Sequence, residues 1–113
     1  MARYRDQLPQ LSNTLFLTDG GLETTLIFRE GLDLPDFAAF DLLKSDSGYK
    51  ALETYYRTYA SIAKEHQVGF ILESATWRSN PDWGTRLGYT EDALKEANQH
   101  AIAMLHTIRQ EYE

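Results

Sequence analysis

A chain of 113 residues forms one domain at most, and its 42% hydrophobic and 25% charged residues are ordinary for a soluble globular protein. The net charge of −6 comes with singly scattered basic residues, which argues against a nucleic-acid partner, because phosphate binding needs clustered Lys and Arg. No apolar stretch is long enough for a membrane span or a signal peptide, so we expect a cytoplasmic protein. The absence of cysteine excludes disulfides and thiolate metal ligands within these residues.

The first part of the chain predicts one strand followed by short helical pieces. Residues 14–18 carry β-branched and apolar side chains and indicate a strand, which the glycine pair Gly20-Gly21 closes. Residues 22–28 predict a short helical turn, and residues 37–43 predict one or two turns more.

The second part predicts two long helices separated by a strand. Residues 47–66 place apolar side chains at spacings of three and four, with Ser45 among the candidate N-caps. Residues 68–73 begin as a nearly unbroken apolar run, which is typical of a strand covered on both faces in a parallel sheet. A last helix begins at Thr90 and runs to the chain end. This strand–helix–strand–helix order is the βαβα pattern of a parallel α/β fold.

Two parallel strands leave unpaired hydrogen-bonding edges, one of them apolar along its length. We therefore expect the opening quarter of a larger fold. The chain would be a truncation, one piece of a split protein, or a unit completed by self-association or by a complementing chain at its open strand edges.

The first candidate site follows the first predicted strand. Asp19-Gly20-Gly21 is most often a strand-ending turn, because glycine and aspartate favour turns. The functional alternative is a carboxylate held at the carboxyl end of a strand, where α/β proteins bind ligands, with Glu23 and Thr24 extending the polar group.

The second candidate site follows the second predicted strand. Residues 74–83 combine hydroxyls, an amide, a guanidinium and two indoles. A structural loop would explain Asn80-Pro81-Asp82 as a turn and Trp83 as a residue packed on the next helix; a ligand-gripping loop explains the same residues about equally well. The three histidines form no motif, and the tyrosines of residues 49–59 fit a packed core better than a ligand cage.

Together these residues resemble the N-terminal part of the homocysteine S-methyltransferase family. The resemblance rests on Asp19-Gly20-Gly21-Leu22-Glu23-Thr24 after the first strand and on Thr76-Trp77-Arg78-Ser79-Asn80 after the second. The segment Asn80-Pro81-Asp82-Trp83-Gly84 before Leu87-Gly88-Tyr89 is similar to a bacterial branch of the family. The match spans nearly the whole chain, residues 1–113.

The resemblance implies a (β/α)8 TIM barrel, of which this chain would be the first βαβα portion. It also implies transfer of a methyl group to the thiol of homocysteine, or to a related thiol or selenol, in methionine biosynthesis. In the family a zinc ion held by three cysteines lowers the pKa of that thiol. These cysteines are not in this chain, so we expect no zinc site, no other cofactor and no activity from the chain alone. The methyl donor stays open.

The predicted role of the chain is therefore to supply part of a substrate pocket for an amino-acid thiol. The alternatives are a non-catalytic module that self-associates or docks with a second chain, and an unrelated ligand binder that holds a small amino acid with Asp19 and Arg78. The predicted substrate-binding residues are Asp19, Gly20, Gly21, Glu23, Thr24, Thr76, Trp77, Arg78 and Asn80.

Overall fold

The computed structural model describes residues 3–113, and helices dominate it. Within that range two short strands, β1 (Phe16–Thr18) and β2 (Gly69–Ile71), form one parallel sheet. They pair in the register Phe16↔Gly69, Leu17↔Phe70 and Thr18↔Ile71. Helix α1 (Leu22–Thr24) continues as a π-helical turn, Thr25–Arg29.

Helices α2 (Asp46–Glu65) and α4 (Glu91–Tyr112) follow the local signals of the sequence, whereas α3 (Pro81–Arg86) begins inside the stretch predicted as a loop. The Ser45 hydroxyl accepts a bond from the Gly48 amide at 3.1 Å and caps α2. Thr90 caps α4 in the same way, its hydroxyl accepting from the Ala93 amide at 3.1 Å. Thr90 is thus confirmed as the predicted N-cap of α4, and of the three candidates Ser45, Asp46 and Ser47 it is Ser45 that caps α2. Each supplies an acceptor to a helix-end amide that lacks a backbone partner.

The remaining regular structure consists of 3-10 turns at Pro9–Leu11, Pro35–Phe37 and Ala39–Lys44. The last of these packs between α2 and α4 and buries Phe40 completely. Its buried Asp41 accepts a bond from the Tyr89 hydroxyl at 2.7 Å and pairs with Lys44 at 2.9 Å. These two contacts compensate the burial of the Asp41 carboxylate.

The core lies mainly among helices. Its largest fully buried side chains are Tyr56, Phe40, Leu26, Leu52, Met104 and Ile108. Leu52 and Tyr56 come from the apolar stripe of α2, and Met104 and Ile108 from that of α4. No residue of β1 or β2 is fully buried, and Ile71 is 37% exposed.

The predicted fold class is therefore wrong: the chain is a small helix-rich domain, 61% helical, and not the opening βαβα portion of a TIM barrel. A barrel segment is organised around strands that are covered by packed side chains. Here the strands are three residues each, shorter than the predicted 14–18 and 68–73, and the helices bury the core. The apolar run after residue 67 indicated a covered strand, but its side chains are only half-buried or exposed.

Among residues 3–113, no helix combines the length and apolarity that crossing a membrane requires.

Candidate functional site

The two strand ends lie side by side. Because Thr18 pairs with Ile71 in a parallel register, the residues that follow both strands emerge at the same end of the sheet, where both strands have their carboxyl ends. Asp19 follows β1 directly, and Glu73 comes two residues after β2. We call this end of the sheet, with the Ser74–Asn80 segment beyond it, the strand-end site.

Asp19 is held by a tyrosine from the middle of α2. The Tyr55 hydroxyl donates a 2.6 Å bond to Asp19 Oδ2. Burial raises the pKa of Tyr55 far above its usual range, and the bonded Asp19 carboxylate raises it further. The phenol therefore stays protonated, and this bond fixes the orientation of the carboxylate.

Gly20 has a structural reason to be glycine. A Cβ at this position would lie 2.7 Å from the Tyr59 hydroxyl, closer than van der Waals contact allows. The rings of Tyr59 and Tyr55 are packed with centroids 5.0 Å apart, so Tyr59 cannot withdraw freely. The loop after β1 thus lies directly against α2.

A second tyrosine of α2, Tyr56, has a pKa that responds to the charges of three carboxylates. It is 1% exposed, and its hydroxyl has no hydrogen-bond partner within residues 3–113. Burial raises the pKa of Tyr56, and the charges of Asp19, Glu23 and Glu73 raise it further. These three carboxylates, which follow β1, lie in α1 and follow β2 respectively, therefore make this part of the site negative.

In the loop that follows β2, the Arg78 guanidinium packs against two indoles. Its guanidinium carbon is 4.3 Å from the centroid of the Trp77 ring and 4.0 Å from that of Trp83. Cation–π contact stabilises this arrangement and leaves the in-plane N–H groups for hydrogen bonding. Arg78 Nε and the Ser79 hydroxyl are buried without a partner in the described chain. Buried polar atoms of this kind are rare, and they point to a missing ligand or water.

Two other polar residues of this loop have local partners. The hydroxyls of Ser74 and Thr76 are 2.6 Å apart. Asn80 Oδ1 accepts from the Trp83 amide at 3.2 Å and caps α3, which begins with Pro81. Asn80 therefore positions Trp83, one of the two indoles around Arg78, and is accounted for by structure alone.

The predicted residues thus divide into three groups. Asp19, Glu23 and Arg78 bring charge to the strand-end site. Gly20, Gly21 and Asn80 shape the backbone, with Gly21 at the N-cap of α1. Thr24 and Trp77 are exposed, Trp77 by 65%, and Thr76 is bonded to Ser74.

The sequence-based list missed Tyr55, Tyr56, Glu73 and Ser79. The prediction that Tyr55 and Tyr56 belong to a packed core is confirmed, and the Tyr55 hydroxyl also bonds to the Asp19 carboxylate. Part of this could have been predicted from the sequence. Tyr55 and Tyr56 are neighbours on a helix between two strands, and the hydroxyl of a buried tyrosine usually has a hydrogen-bond partner.

The residues present do not fit the zinc ion of the resembled family. The sequence has no cysteine. Within residues 3–113, no three His, Cys, Asp or Glu side chains converge as metal ligands. Comparison of the chain with protein-family models, curated proteins and solved structures gives no match.

Proposed function

We propose that this chain binds a small α-amino acid carrying a thiol, such as homocysteine, and supplies the substrate-holding part of a homocysteine S-methyltransferase-like activity. The observation that carries the proposal is an acidic group at the ends of β1 and β2, together with an arginine in the loop after β2 whose buried Nε has no partner within residues 3–113. The proposal rests on this site and not on a barrel fold.

The acidic side of the site suits an ammonium group. After burial, the charges of Asp19, Glu23 and Glu73 raise the pKa of Tyr56, and of these three carboxylates only Asp19 accepts a hydrogen bond from a tyrosine, Tyr55. A cation beside these carboxylates would gain charge-assisted hydrogen bonds. A free α-amino group supplies that cation.

The arginine side suits a carboxylate. Two indoles pack against the Arg78 guanidinium, and its N–H groups lie in its own plane, where they match the two oxygens of a carboxylate. The unpartnered Ser79 hydroxyl lies next in the chain and offers a further donor. An amino acid carries both complementary charges.

Titration calorimetry with three ligands tests the two halves of the site separately. The ligands are homocysteine, its analogue without the amino group (4-mercaptobutanoic acid) and its analogue without the carboxylate (3-mercaptopropylamine). We expect Asp19→Asn to raise the dissociation constant for homocysteine about tenfold or more, since losing a charged hydrogen bond costs roughly 1.5–3 kcal/mol. The same variant should leave the affinity for the analogue without the amino group unchanged.

Arg78→Met should weaken the binding of homocysteine to a similar extent. It should leave the affinity for the analogue without the carboxylate unchanged. The matched control is Arg86→Met, because Arg86 also lies over Trp83, at 4.8 Å, but is 63% exposed and pairs with Asp36. For Asp19, the control is the exposed Asp33→Asn. Absence of homocysteine binding to the folded wild type, or binding unaffected by both site variants, would overturn the proposal.

Methyl transfer by the chain alone is a separate question with its own measurement. We expect no methionine from homocysteine, a methyl donor and added zinc, because no side chain of this sequence can supply the thiolate ligands of the family's zinc. Turnover above the protein-free rate would contradict this. If methionine binds as tightly as homocysteine, the thiol plays no part, and the non-catalytic amino-acid binder becomes the better assignment.

A further inference from the structure

A groove with a volume of about 440 Å³ lies beside β2. Residues 68–72 line it, and its apolar walls include Ala60 and Ala63 of α2 and Ile108 of α4. Neither Asp19 nor Arg78 lines the groove, so it is separate from the strand-end site.

The outer edge of β2, which faces away from β1, has no paired strand. The Gly69 amide donates to the Leu15 carbonyl at 3.1 Å, so Gly69 faces β1. Backbone groups alternate along a strand, and those of Phe70 therefore face away from β1. Proteins commonly protect such an edge by covering it with a loop or a helix.

The segment before β1 lies against this groove. We call residues 3–11 the strap. Three of its residues, Tyr4, Pro9 and Gln10, line the groove together with β2. The strap ends in the 3-10 turn Pro9–Leu11, which the Ser12 hydroxyl closes by donating to the Pro9 carbonyl at 2.6 Å.

The strap is fastened at the end of α4. The Tyr4 hydroxyl donates to Glu113 Oε1 at 3.0 Å, and Arg3 pairs with the same carboxylate. The guanidinium carbon of Arg109 lies 5.2 Å from the centroid of the Tyr4 ring. Arg109 also pairs with Glu113, so these two residues of α4 together hold Tyr4.

These contacts are weak enough to be broken without unfolding the chain. Of residues 3–11, Pro9 is half-buried and the others are exposed, and none belongs to the buried core. Exposed ion pairs and hydrogen bonds contribute little stability, because water and salt compete for the same charges. A segment held in this way exchanges between a closed and an open position.

We propose that the strap is a movable cover of the groove, closed by the contacts that Tyr4 makes with Glu113 and Arg109. In the closed position it shields part of the apolar lining. In the open position it exposes that lining while the helices keep the core intact, because the strap supplies no core residue. The fold thus contains a device that controls access to the groove.

Paramagnetic relaxation measures where the strap lies. The sequence has no cysteine, so a single nitroxide label can be attached through Asp6→Cys, an exposed position of the strap. We expect this label to broaden the NMR signals of the Arg109 and Tyr112 amides, because the closed strap lies against the end of α4.

Two substitutions in the labelled chain should release the strap. Glu113→Gln and Tyr4→Ala each remove a contact that holds it, and each should reduce the broadening about twofold or more. The matched control is Glu111→Gln in the same turn of α4. Its carboxylate pairs with Arg57 rather than with the strap, so the broadening should stay unchanged.

Dye binding to the unlabelled variants measures whether release uncovers the groove. Nile red is uncharged, and its emission rises in apolar surroundings. We expect Glu113→Gln and Tyr4→Ala to bind it severalfold more tightly than the wild type does, because more of the apolar lining is accessible. Glu111→Gln should bind it as the wild type does.

Three results would overturn the proposal. The first is a label that leaves the α4 amides unbroadened while the Tyr4 contacts are intact. The second is broadening that neither Glu113→Gln nor Tyr4→Ala reduces. The third is release of the strap without tighter dye binding, which would show that the strap does not cover the groove.

Discussion

The hydrogen bond between Tyr55 and Asp19 is the best-defined contact of the strand-end site, and its energy can be measured. We expect Tyr55→Phe to lower the free energy of unfolding by about 1.5–2 kcal/mol, since the bond has a charged acceptor and is half-buried. Urea denaturation gives the value. The control is Tyr49→Phe on the same helix, a half-buried tyrosine whose ring stacks on His100 with centroids 4.8 Å apart. Equal losses from the two variants would contradict the assignment.

The raised pKa values of three tyrosines predict how the free energy of unfolding changes at alkaline pH. Burial raises the pKa of Tyr55, Tyr56 and Tyr89, and hydrogen bonds to Asp19 and Asp41 raise those of Tyr55 and Tyr89 further. The folded chain thus keeps protons that the unfolded chain releases above pH about 10. The stabilisation is complete below that pH and is lost as pH rises further.

Urea unfolding between pH 8 and pH 11, with tyrosinate absorbance recorded in parallel, checks this expectation. Tyrosinate from these residues should form together with unfolding rather than before it. Tyr89→Phe should lose less stability across the range than the wild type does. A variant and a wild type with the same pH dependence would show that Tyr89 ionises normally in the folded chain.

The sequence could predict Asp19 as a candidate ligand but not the partner that orients it. Asp19 and Tyr55 are 36 positions apart, and no periodicity links a strand end to one residue of a helix stripe. The tyrosine pattern indicated burial, which is correct. Which hydroxyl reaches which carboxylate depends on how α2 is rotated over β1, and that is fixed only by tertiary packing.

At the scale of the element, the helix ends were predictable because capping is local. Thr90 and Ser45 each satisfy an amide three residues ahead, so the signal is contained within one turn of sequence. Strand ends had no such signal. Residues 14 and 15 have strand-forming side chains, but β1 begins at Phe16 because pairing with Gly69 begins there.

The cap of α4 supports a prediction about helix stability. Thr90→Ala should reduce the free energy of unfolding by about 1 kcal/mol, since the Ala93 amide loses its acceptor. Thr107→Ala serves as the control within the same helix: Thr107 is exposed, bonds back to the Ala103 carbonyl, and alanine is the better helix former there. Thermal unfolding of both variants measures the difference. A loss at position 107 as large as that at 90 would contradict a capping role.

At the scale of the whole molecule, the βαβα order was correct while the architecture inferred from it was wrong. The pattern records the sequence of elements, but not which of them bury the core. Phe40 and Asp41 lie in a stretch that predicted only one or two helical turns, yet they pack between α2 and α4. This 3-10 segment, Ala39–Lys44, gives the helices a core that does not depend on an extended sheet.

A helix-based core with an exposed two-stranded sheet predicts a graded pattern of amide exchange. The amides in the middle of α2, around Leu52 and Tyr56, should exchange only on global unfolding, because their side chains are fully buried. At low protein concentration the Phe70 amide should exchange faster than that of Gly69, which donates to Leu15. Amide-resolved exchange by NMR measures all of these positions in one experiment.

A Phe70 amide that exchanges as slowly as those around Leu52 would contradict an open outer edge of β2. Equal exchange at Phe70 and Gly69 would also contradict it, because the Gly69 amide is bonded within the sheet. Slow exchange throughout β2 would show that the sheet unfolds only together with the helices.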